Sequence, residues 1–320
     1  MKMLIPSTME LTVKNRPGWE MVVYQPDVPV PEEHRDAEAL VIWGARDPDV
    51  VALAQELPRV RWVQALSAGT DAITNAGFPP ATVITSGRGL HDATVAEHAL
   101  SLILAAVRSL PGALRAQNEH RWAAELGGMQ SETKDEPLKT VSGTHIVIWG
   151  FGSIGSTLAK HLDALGAGVS GIATNAGTRH GFEITATSDA PELLSKADIL
   201  VMILPSTEST RHALDQDLIR LLPRRAWVVN VGRGSTINEA ALAAALSEGT
   251  IAGAALDVFE QEPLGSDSPL WDLDNVIITP HAAGGRPRGA GQLIEENLSA
   301  LEEGRTLRNV VGRKLPGQTG

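Results

Sequence analysis

The segment IVIWGFGSIG, residues Ile146 to Gly155, decides the fold of this chain. An apolar, strand-like run ends in a Gly-x-Gly-x-x-Gly triplet, and the following STLAKHL has helical spacing. In such a strand–turn–helix unit Gly150 permits a tight turn, Gly152 lets a diphosphate approach the main chain, and Gly155 lets the helix pack close to the strand. The positive end of that helix favours an anion. The segment therefore predicts a dinucleotide-binding site.

Size and composition limit the remaining possibilities. A chain of 320 residues is expected to form about two domains. The net charge of -11 argues against nucleic acid or an anionic membrane as a partner, and the lack of cysteine excludes disulfides and thiolate chemistry. The N-terminal MKMLIP lacks the apolar core of a signal peptide, and the apolar run around Ala99 to Val107 is too short for a bilayer. We therefore predict a cytoplasmic protein without a metal site.

Strand-like and helix-like segments alternate, which predicts an α/β protein with parallel sheets. The first third is predicted to hold strands at 21–24, 39–43, 60–64 and 82–85, and a helix at 49–57. A long apolar helix, expected to be buried, runs from Thr94 to Leu110 and ends near Pro111 and Gly112.

The second half predicts a six-stranded, doubly wound sheet, with ligands at the carboxyl ends of its strands. Its strands are predicted at 144–149, 169–173, 199–204, 227–231, 251–256 and 276–279, with helices at 153–165, 190–196, 216–222 and 238–247. Residues 117–140 are interpreted as a surface excursion that contacts a partner subunit. The predicted domains are a substrate-binding domain at 1–108, rejoined by 284–320 through a helix at about 291–303, and a dinucleotide-binding domain at 109–283.

Two side chains that follow predicted strands suit catalysis. Arg233 lies between two glycines, where its guanidinium could bind a carboxylate and polarise a carbonyl, or simply be a solvated turn residue. His281, in TPHAAG, could give or take a proton near neutral pH, or be a structural histidine. The other histidines receive the structural interpretation; His98, beside Glu97 on the long helix, is the strongest of them.

Two carboxylates are the candidate partners. Pro263 restricts Glu262 to extended conformations, and a carboxylate held against an imidazole fixes its tautomer and favours its protonated form. The alternative is one more surface acid, and Glu260 competes for the same role. Asp257 ends a strand and could accept a hydrogen bond from a nicotinamide amide or cap its loop.

These motifs together resemble the D-isomer-specific 2-hydroxyacid dehydrogenases. The resemblance rests on the glycine triplet and on NVGRG at 230–234, ALDVF at 255–259 with EPL at 262–264, and TPHAAG at 279–284. SAGTD at 67–71, VAEH at 95–98 and LPST at 204–207 resemble further motifs of the family. The resemblance implies a Rossmann dinucleotide-binding domain plus a flavodoxin-like substrate domain, with a cleft between them that closes over the substrate.

The resemblance also implies roles for individual residues. Hydride would pass between the nicotinamide and C2 of a 2-oxo acid, with His281 as the acid/base, Glu262 as its partner and Arg233 on the substrate carboxylate. Backbone N–H groups of Ala68 and Gly69 would hold the other side of that carboxylate. The implied cofactor-binding residues are Thr94, Gly150, Gly152, Ser153, Ile154, Gly155, Thr174, Asn175, Arg179, Pro205, Thr210, Val231, Asp257 and Gly284.

The sequence departs from the family pattern at two points. NAD-using relatives usually carry an acid at the end of the second strand, whereas here Ala173 is followed by Thr174 and Asn175. Those side chains, with Arg179, favour NADP over NAD. Trp149 stands where smaller residues are usual, and either crowds the sheet or packs harmlessly.

Three functions remain open at this point. The first is an NAD(P)H-dependent reductase of a small 2-oxo acid, such as glyoxylate or hydroxypyruvate, forming a homodimer. The second is a dinucleotide-sensing binding protein on the same scaffold, which need not keep Arg233, Glu262 and His281 together. The third is a 3-phosphoglycerate dehydrogenase, for which Arg88 is the candidate phosphate ligand. Glu262 argues against formate dehydrogenases, which typically have glutamine there.

Overall fold

A computed structural model describes residues 1–127 and 137–311 and divides the chain into two compact units. The first unit consists of residues 1–91 and the described part of 286–320, and the second is residues 92–285. Residues 286–311 thus belong to the same unit as residues 1–91. The first boundary lies after residue 91 rather than after 108, because the long apolar helix packs within the second unit.

The first unit is built on a five-stranded parallel sheet of order β2-β1-β3-β4-β5. This is the flavodoxin-like strand order, as the resemblance implied. Its strands are β1 (Lys2–Pro6), β2 (Glu20–Tyr24), β3 (Ala39–Ile42), β4 (Trp62–Ala65) and β5 (Val83–Thr85). The sequence reasoning missed β1, a buried strand that pairs with both β2 and β3 and whose short apolar run stands too near the chain start to show a pattern.

The second unit contains an eight-stranded sheet of order β13-β12-β11-β10-β6-β7-β9-β8. Its strands are β6 (His145–Trp149), β7 (Gly168–Ala173), β8 (Gly177–Arg179), β9 (Phe182–Ala186), β10 (Ile199–Met202), β11 (Trp227–Asn230), β12 (Gly253–Leu256) and β13 (Val276–Ile278). The doubly wound sheet is confirmed, but the expected six strands were too few. The hairpin of β8 and β9 was missed because β8 has only three exposed residues and no apolar period.

Helices cover both sheets. They are α1 (Asp47–Glu56), α2 (Asp71–Thr74), α3 (Asp92–Val107), α4 (Leu110–Asn118), α5 (Ser153–Ala164), α6 (Ala190–Leu194), α7 (Gln216–Ile219), α8 (Glu239–Ser247) and α9 (Ala290–Glu302). The predicted end of the long helix near Pro111 was wrong. Helix α3 ends at Val107, and the chain changes direction at Ser109, which has φ 51°. Pro111 lies in the first turn of α4, where its missing N–H group costs nothing.

The core of the second unit explains why α3 is so apolar. Val95, Ala99 and Ile103 are buried in a cluster with Ile148 of β6 and Leu158 of α5. The prediction of a buried helix is therefore confirmed.

Trp149 lies on the other face of β6. Its side chain is buried in a second cluster with Val147, Ile172 and Met202, so that it packs without crowding the sheet.

No single helix in the described ranges has the length and apolar character to cross a membrane. Only α3 and α4 together would meet those criteria, as a pair bent by 66°. Residues 128–136 of the predicted surface excursion lie outside the described residues.

Candidate active site

The glycine-rich turn leads from β6 into α5. Gly150 has φ 102°, and a Cβ atom there would lie 2.4 Å from the carbonyl oxygen of Ile203. A Cβ atom on Gly155 would lie 2.8 Å from the carbonyl oxygen of Gly150. On Gly152 it would meet no atom within 4 Å. The fold itself therefore requires the first and third glycines, whereas the open space at Gly152 fits a ligand that approaches the turn.

The start of α5 is suited to an anion. Gly152 precedes the helix and offers no side-chain cap to its first N–H groups. Ser153 and Ile154 form the first turn, and the Ser153 hydroxyl donates to Oδ1 of Asp92 at 3.0 Å. The dinucleotide phosphates are the group that this arrangement fits.

The β8–β9 hairpin adds a cation to the same turn. The Phe151 ring lies against Gly171 and contacts the ring of Phe182 at a centroid distance of 5.8 Å. Arg179 Nη1 then donates to the carbonyl oxygen of Phe151 at 3.2 Å. A strand that the sequence did not reveal thus brings a guanidinium to the glycine turn.

The end of β7 carries no acid. Ala173 is followed by Thr174 and Asn175, both exposed. Their hydroxyl and amide groups are therefore accessible at the carboxyl end of the strand next to β6.

Other predicted cofactor residues form short contacts among themselves. Thr210 Oγ1 donates to the carbonyl oxygen of Pro205 at 2.6 Å, in the loop after β10. Thr94 Oγ1 donates to the carbonyl oxygen of Gly284 at 2.8 Å. Val231 is buried directly after β11. Pro205 lies in the loop after β10 and Val231 follows β11, at the carboxyl ends of these strands. The role of these residues toward a cofactor stays a prediction.

The loop after β11 fixes the backbone of Arg233. Its carbonyl oxygen accepts from Asn230 Nδ2 at 3.1 Å and from Thr236 Oγ1 at 2.7 Å. A Cβ atom on Gly232 would lie 2.8 Å from the Leu204 backbone N, and one on Gly234 would collide with the Phe259 carbonyl group. The flanking glycines therefore serve the close approach of neighbouring loops rather than an open path to Arg233.

Glu262 and His281 form the central pair of the site. His281 Nδ1 lies 2.7 Å from Glu262 Oε2, and the Phe259 N–H donates to the other carboxylate oxygen at 3.1 Å. The pair is partly exposed, with side-chain exposures of 48% for His281 and 36% for Glu262, so a ligand can reach it. Because Nδ1 faces the carboxylate, Nε2 is the nitrogen that can exchange a proton with a substrate.

The charges around this pair favour its ionised form. The hydrogen bond to Glu262 raises the pKa of His281, although burial and the positive charge of Arg233 act in the opposite direction. Burial acts to raise the pKa of Glu262, but the hydrogen bonds from His281 and Phe259 outweigh it and hold that pKa below its usual value. The positive charge of Arg233 lies close enough to act on both groups.

Asp257 supports the loop that carries His281. Its buried carboxylate accepts from Thr279 Oγ1 at 2.6 Å, from Ala282 N at 2.8 Å and from Ala283 N at 3.0 Å. Of the two predicted roles, the structure shows loop capping. A nicotinamide amide would have to share oxygens that already accept these bonds.

The sequence reasoning missed the place of His98. Its Nε2 lies 3.0 Å from Thr279 Oγ1 and 3.2 Å from Asp257 Oδ1, so it borders the His281 loop. The available signal was a histidine on an otherwise apolar helix that packs under the carboxyl ends of a sheet.

Glu260 is not the partner of His281. Its Oε1 lies 2.8 Å from Nε2 of His212 and accepts from the Glu239 N–H at 3.1 Å. The choice of Glu262 over its neighbour is thus supported by geometry.

The predicted substrate-binding backbone lies in the first unit. Ala68 and Gly69 follow β4, and the Ser67 hydroxyl donates to the Gly69 carbonyl oxygen at 2.6 Å. Their role toward a carboxylate stays a prediction. Within the described ranges, no cluster of three or more His, Asp or Glu side chains could hold a metal ion.

Comparison with known proteins points to one family. Residues 100–283 match the NAD-binding domain of the D-isomer specific 2-hydroxyacid dehydrogenases. A glyoxylate reductase of Korarchaeum cryptofilum is 32% identical over 292 residues, covering 89% of this chain and 85% of that protein.

Two solved structures share the fold. A D-isomer specific 2-hydroxyacid dehydrogenase of Xanthobacter autotrophicus, in complex with NADPH, matches with a TM-score of 0.78 and 30% identity over 92% of this chain and 90% of that one. An NADPH-dependent glyoxylate/hydroxypyruvate reductase of Sinorhizobium meliloti, in complex with NADP, matches with a TM-score of 0.80 and 25% identity over 97% of each chain.

Proposed function

The chain belongs to the D-isomer specific 2-hydroxyacid dehydrogenase family and is an NAD(P)-dependent oxidoreductase of small 2-oxo and 2-hydroxy acids; on that premise we propose that it is a glyoxylate/hydroxypyruvate reductase that prefers NADPH. The observation that carries the proposal is the 2.7 Å contact between His281 and Glu262 within the influence of Arg233. A protein that only senses a dinucleotide has no need of such an acid/base pair.

The side chains suggest how reduction would proceed. A nicotinamide coenzyme held at the glycine turn of residues 150–155 would supply the hydride for reduction at C2 of the oxo acid. His281 Nε2 gives its proton to the carbonyl oxygen, so that the hydroxyl group forms as the C–H bond does. Glu262 stabilises the imidazolium before the transfer, and Arg233 binds the substrate carboxylate and polarises the carbonyl. In oxidation His281, then neutral, takes the proton back.

The preference for NADPH rests on three groups of the second unit. Thr174 and Asn175 are neutral and exposed where an acid would repel a 2′-phosphate. Arg179 is held against the glycine turn through Phe151 and offers a positive charge to that phosphate. Two structures with this fold carry NADP or NADPH, which supports the same choice.

The test is a set of steady-state assays. Glyoxylate, hydroxypyruvate and larger 2-oxo acids are supplied in turn with NADPH or NADH, and kcat/KM is compared. We expect the highest values for the two small acids with NADPH. Arg179→Ala should lower kcat/KM for NADPH by about tenfold or more, since hydrogen bonds to charged groups contribute about 1.5–3 kcal/mol.

The control replaces a cation at the opposite end of the sheet strands. Arg224 is exposed and precedes β11, at the amino ends of the strands. Arg224→Ala should leave both coenzymes unaffected. A wild-type protein that uses NADH better than NADPH would disprove the coenzyme preference alone, whereas inactivity toward every 2-oxo acid would disprove the proposed reaction. The predicted homodimer and cytoplasmic location stay predictions.

A further inference from the structure

His98 borders the candidate site through contacts with the residues that hold the His281 loop. It lies on α3, and its side chain is 21% exposed. Its Nε2 is within hydrogen-bond distance of two oxygens, Thr279 Oγ1 and Asp257 Oδ1. Both oxygens belong to the strand ends that carry the His281 loop.

The Asp257 carboxylate holds the backbone after His281, and the Asp257 main chain holds His281 itself. The Ala282 and Ala283 N–H groups donate to the carboxylate, and the His281 N–H donates to the Asp257 carbonyl oxygen at 2.9 Å. His281 has φ 51°, a left-handed conformation that is unfavourable for a residue other than glycine. Such a conformation persists only where neighbouring contacts hold it. Here the His281 N–H donates to the carbonyl oxygens of Asp257 and Thr279, at 2.9 and 3.1 Å, and the Asp257 carboxylate holds the two residues that follow.

The hydrogen-bond roles around His98 follow from the available protons. The Thr279 hydroxyl has one proton, which the 2.6 Å contact directs to Asp257 Oδ1. Both oxygens near His98 are therefore acceptors, so Nε2 must carry a proton and donate to them. His98 is thus a side-chain donor from another element to a carboxylate that is wholly buried and needs its charge satisfied.

We propose that His98 is a positioning residue for the reaction: through Asp257 and Thr279, its Nε2–H fixes the loop conformation that presents the His281 imidazole to the substrate. The proposal rests on the assignment of His281 as the acid/base. It adds to the site a fourth side chain, one that acts through the loop that carries His281.

The experiment compares two substitutions of His98 that introduce the same amide group on side chains of different length. Glutamine at position 98 can place an N–H near the position of Nε2, whereas asparagine is too short. We expect His98→Gln to keep kcat within about threefold, and His98→Asn to lower kcat by about tenfold, because small displacements of a catalytic group reduce the rate strongly. KM for glyoxylate and the dissociation constant of NADPH, followed by its fluorescence, should stay within about twofold in both.

Controls distinguish a loss of positioning from a general loss of stability or of NADPH binding. His161→Asn alters an exposed histidine on α5 and should change nothing. Equal rates in the two His98 variants, whether normal or reduced, would overturn the proposal. So would a loss in His98→Asn that is accompanied by weaker NADPH binding, or by a fall in melting temperature that His98→Gln does not show.

A third variant keeps the two proposals apart. His281→Asn should abolish most turnover if the proposed function is right. Normal rates in His281→Asn would refute the acid/base assignment itself. A dead His281→Asn beside fully active His98 variants would refute only the positioning role.

Discussion

Two histidine–glutamate pairs use glutamates from the same loop, the one after β12, but only one of the pairs lies in the candidate active site. His281 pairs with Glu262 at 2.7 Å, and His212 pairs with Glu260 at 2.8 Å. Both histidines have left-handed backbone, with φ 51° and 48°. The two glutamates are almost equally exposed, at 35% for Glu260 and 36% for Glu262, whereas His281 is more exposed than His212, at 48% against 32%.

Their surroundings differ. Glu260 takes part in a closed arrangement with Glu239, in which each backbone N–H donates to the carboxylate of the other residue. His212 ties this arrangement to the loop after β10. Glu262 instead has Arg233 close enough to lower its pKa, and its histidine follows the last strand of the sheet. The comparison teaches that a His–Glu contact becomes a candidate for catalysis through the third charge beside it.

The largest expected contrast is between the two histidines. His281→Asn should lower kcat for 2-oxo acid reduction by about 100-fold or more, because the proton donor is lost. His212→Asn should leave kcat within about twofold. Asparagine tolerates left-handed backbone, so neither variant should strain its loop. Steady-state kinetics with NADPH measures both, and equal losses would remove the distinction between the pairs.

Arg233 is the group that separates the pairs, and its removal gives the next largest effect. Arg233→Ala should raise KM for the 2-oxo acid by about tenfold or more, since a charged hydrogen bond contributes about 1.5–3 kcal/mol. Arg211→Ala, an exposed arginine next to His212, is the matched control and should leave KM unchanged. If KM for the acid stays constant in Arg233→Ala, another cation binds the carboxylate.

The sequence predicted features that lie within one short segment better than contacts between distant segments. The glycine turn lies within ten consecutive residues, and its strand–turn–helix context could be read directly. Arg233 and His281 were found because each follows an apolar strand. Their roles came from the family resemblance, and Glu262 was preferred to Glu260 on the motif that surrounds it.

What the sequence could not predict depends on contacts between distant segments. Strand β8 consists of three exposed residues and has no apolar period, so the position of Arg179 against Phe151 could not be predicted. His98 lies 159 positions before Asp257 (257 − 98), and its place beside Glu97 on the long helix did not reveal its contact with that carboxylate. The first domain boundary moved to residue 91 because helix packing, rather than chain order, assigns α3 to the second unit.

The smallest expected effect is a change in the pH dependence of kcat/KM, and it compares the carboxylates of Glu262 and Glu260. Reduction requires protonated His281, so the rate should fall as pH rises through the pKa of that histidine, which Glu262 holds above its ordinary value. Glu262→Gln removes the charge that raises this pKa. The descending limb of kcat/KM against pH should therefore move to lower pH, while oxidation, which needs neutral His281, should gain activity at lower pH. Glu260→Gln should leave the limb where it is, because that carboxylate faces His212. A shift of equal size in both variants would mean that the loop as a whole, rather than the Glu262 carboxylate, sets the protonation of His281.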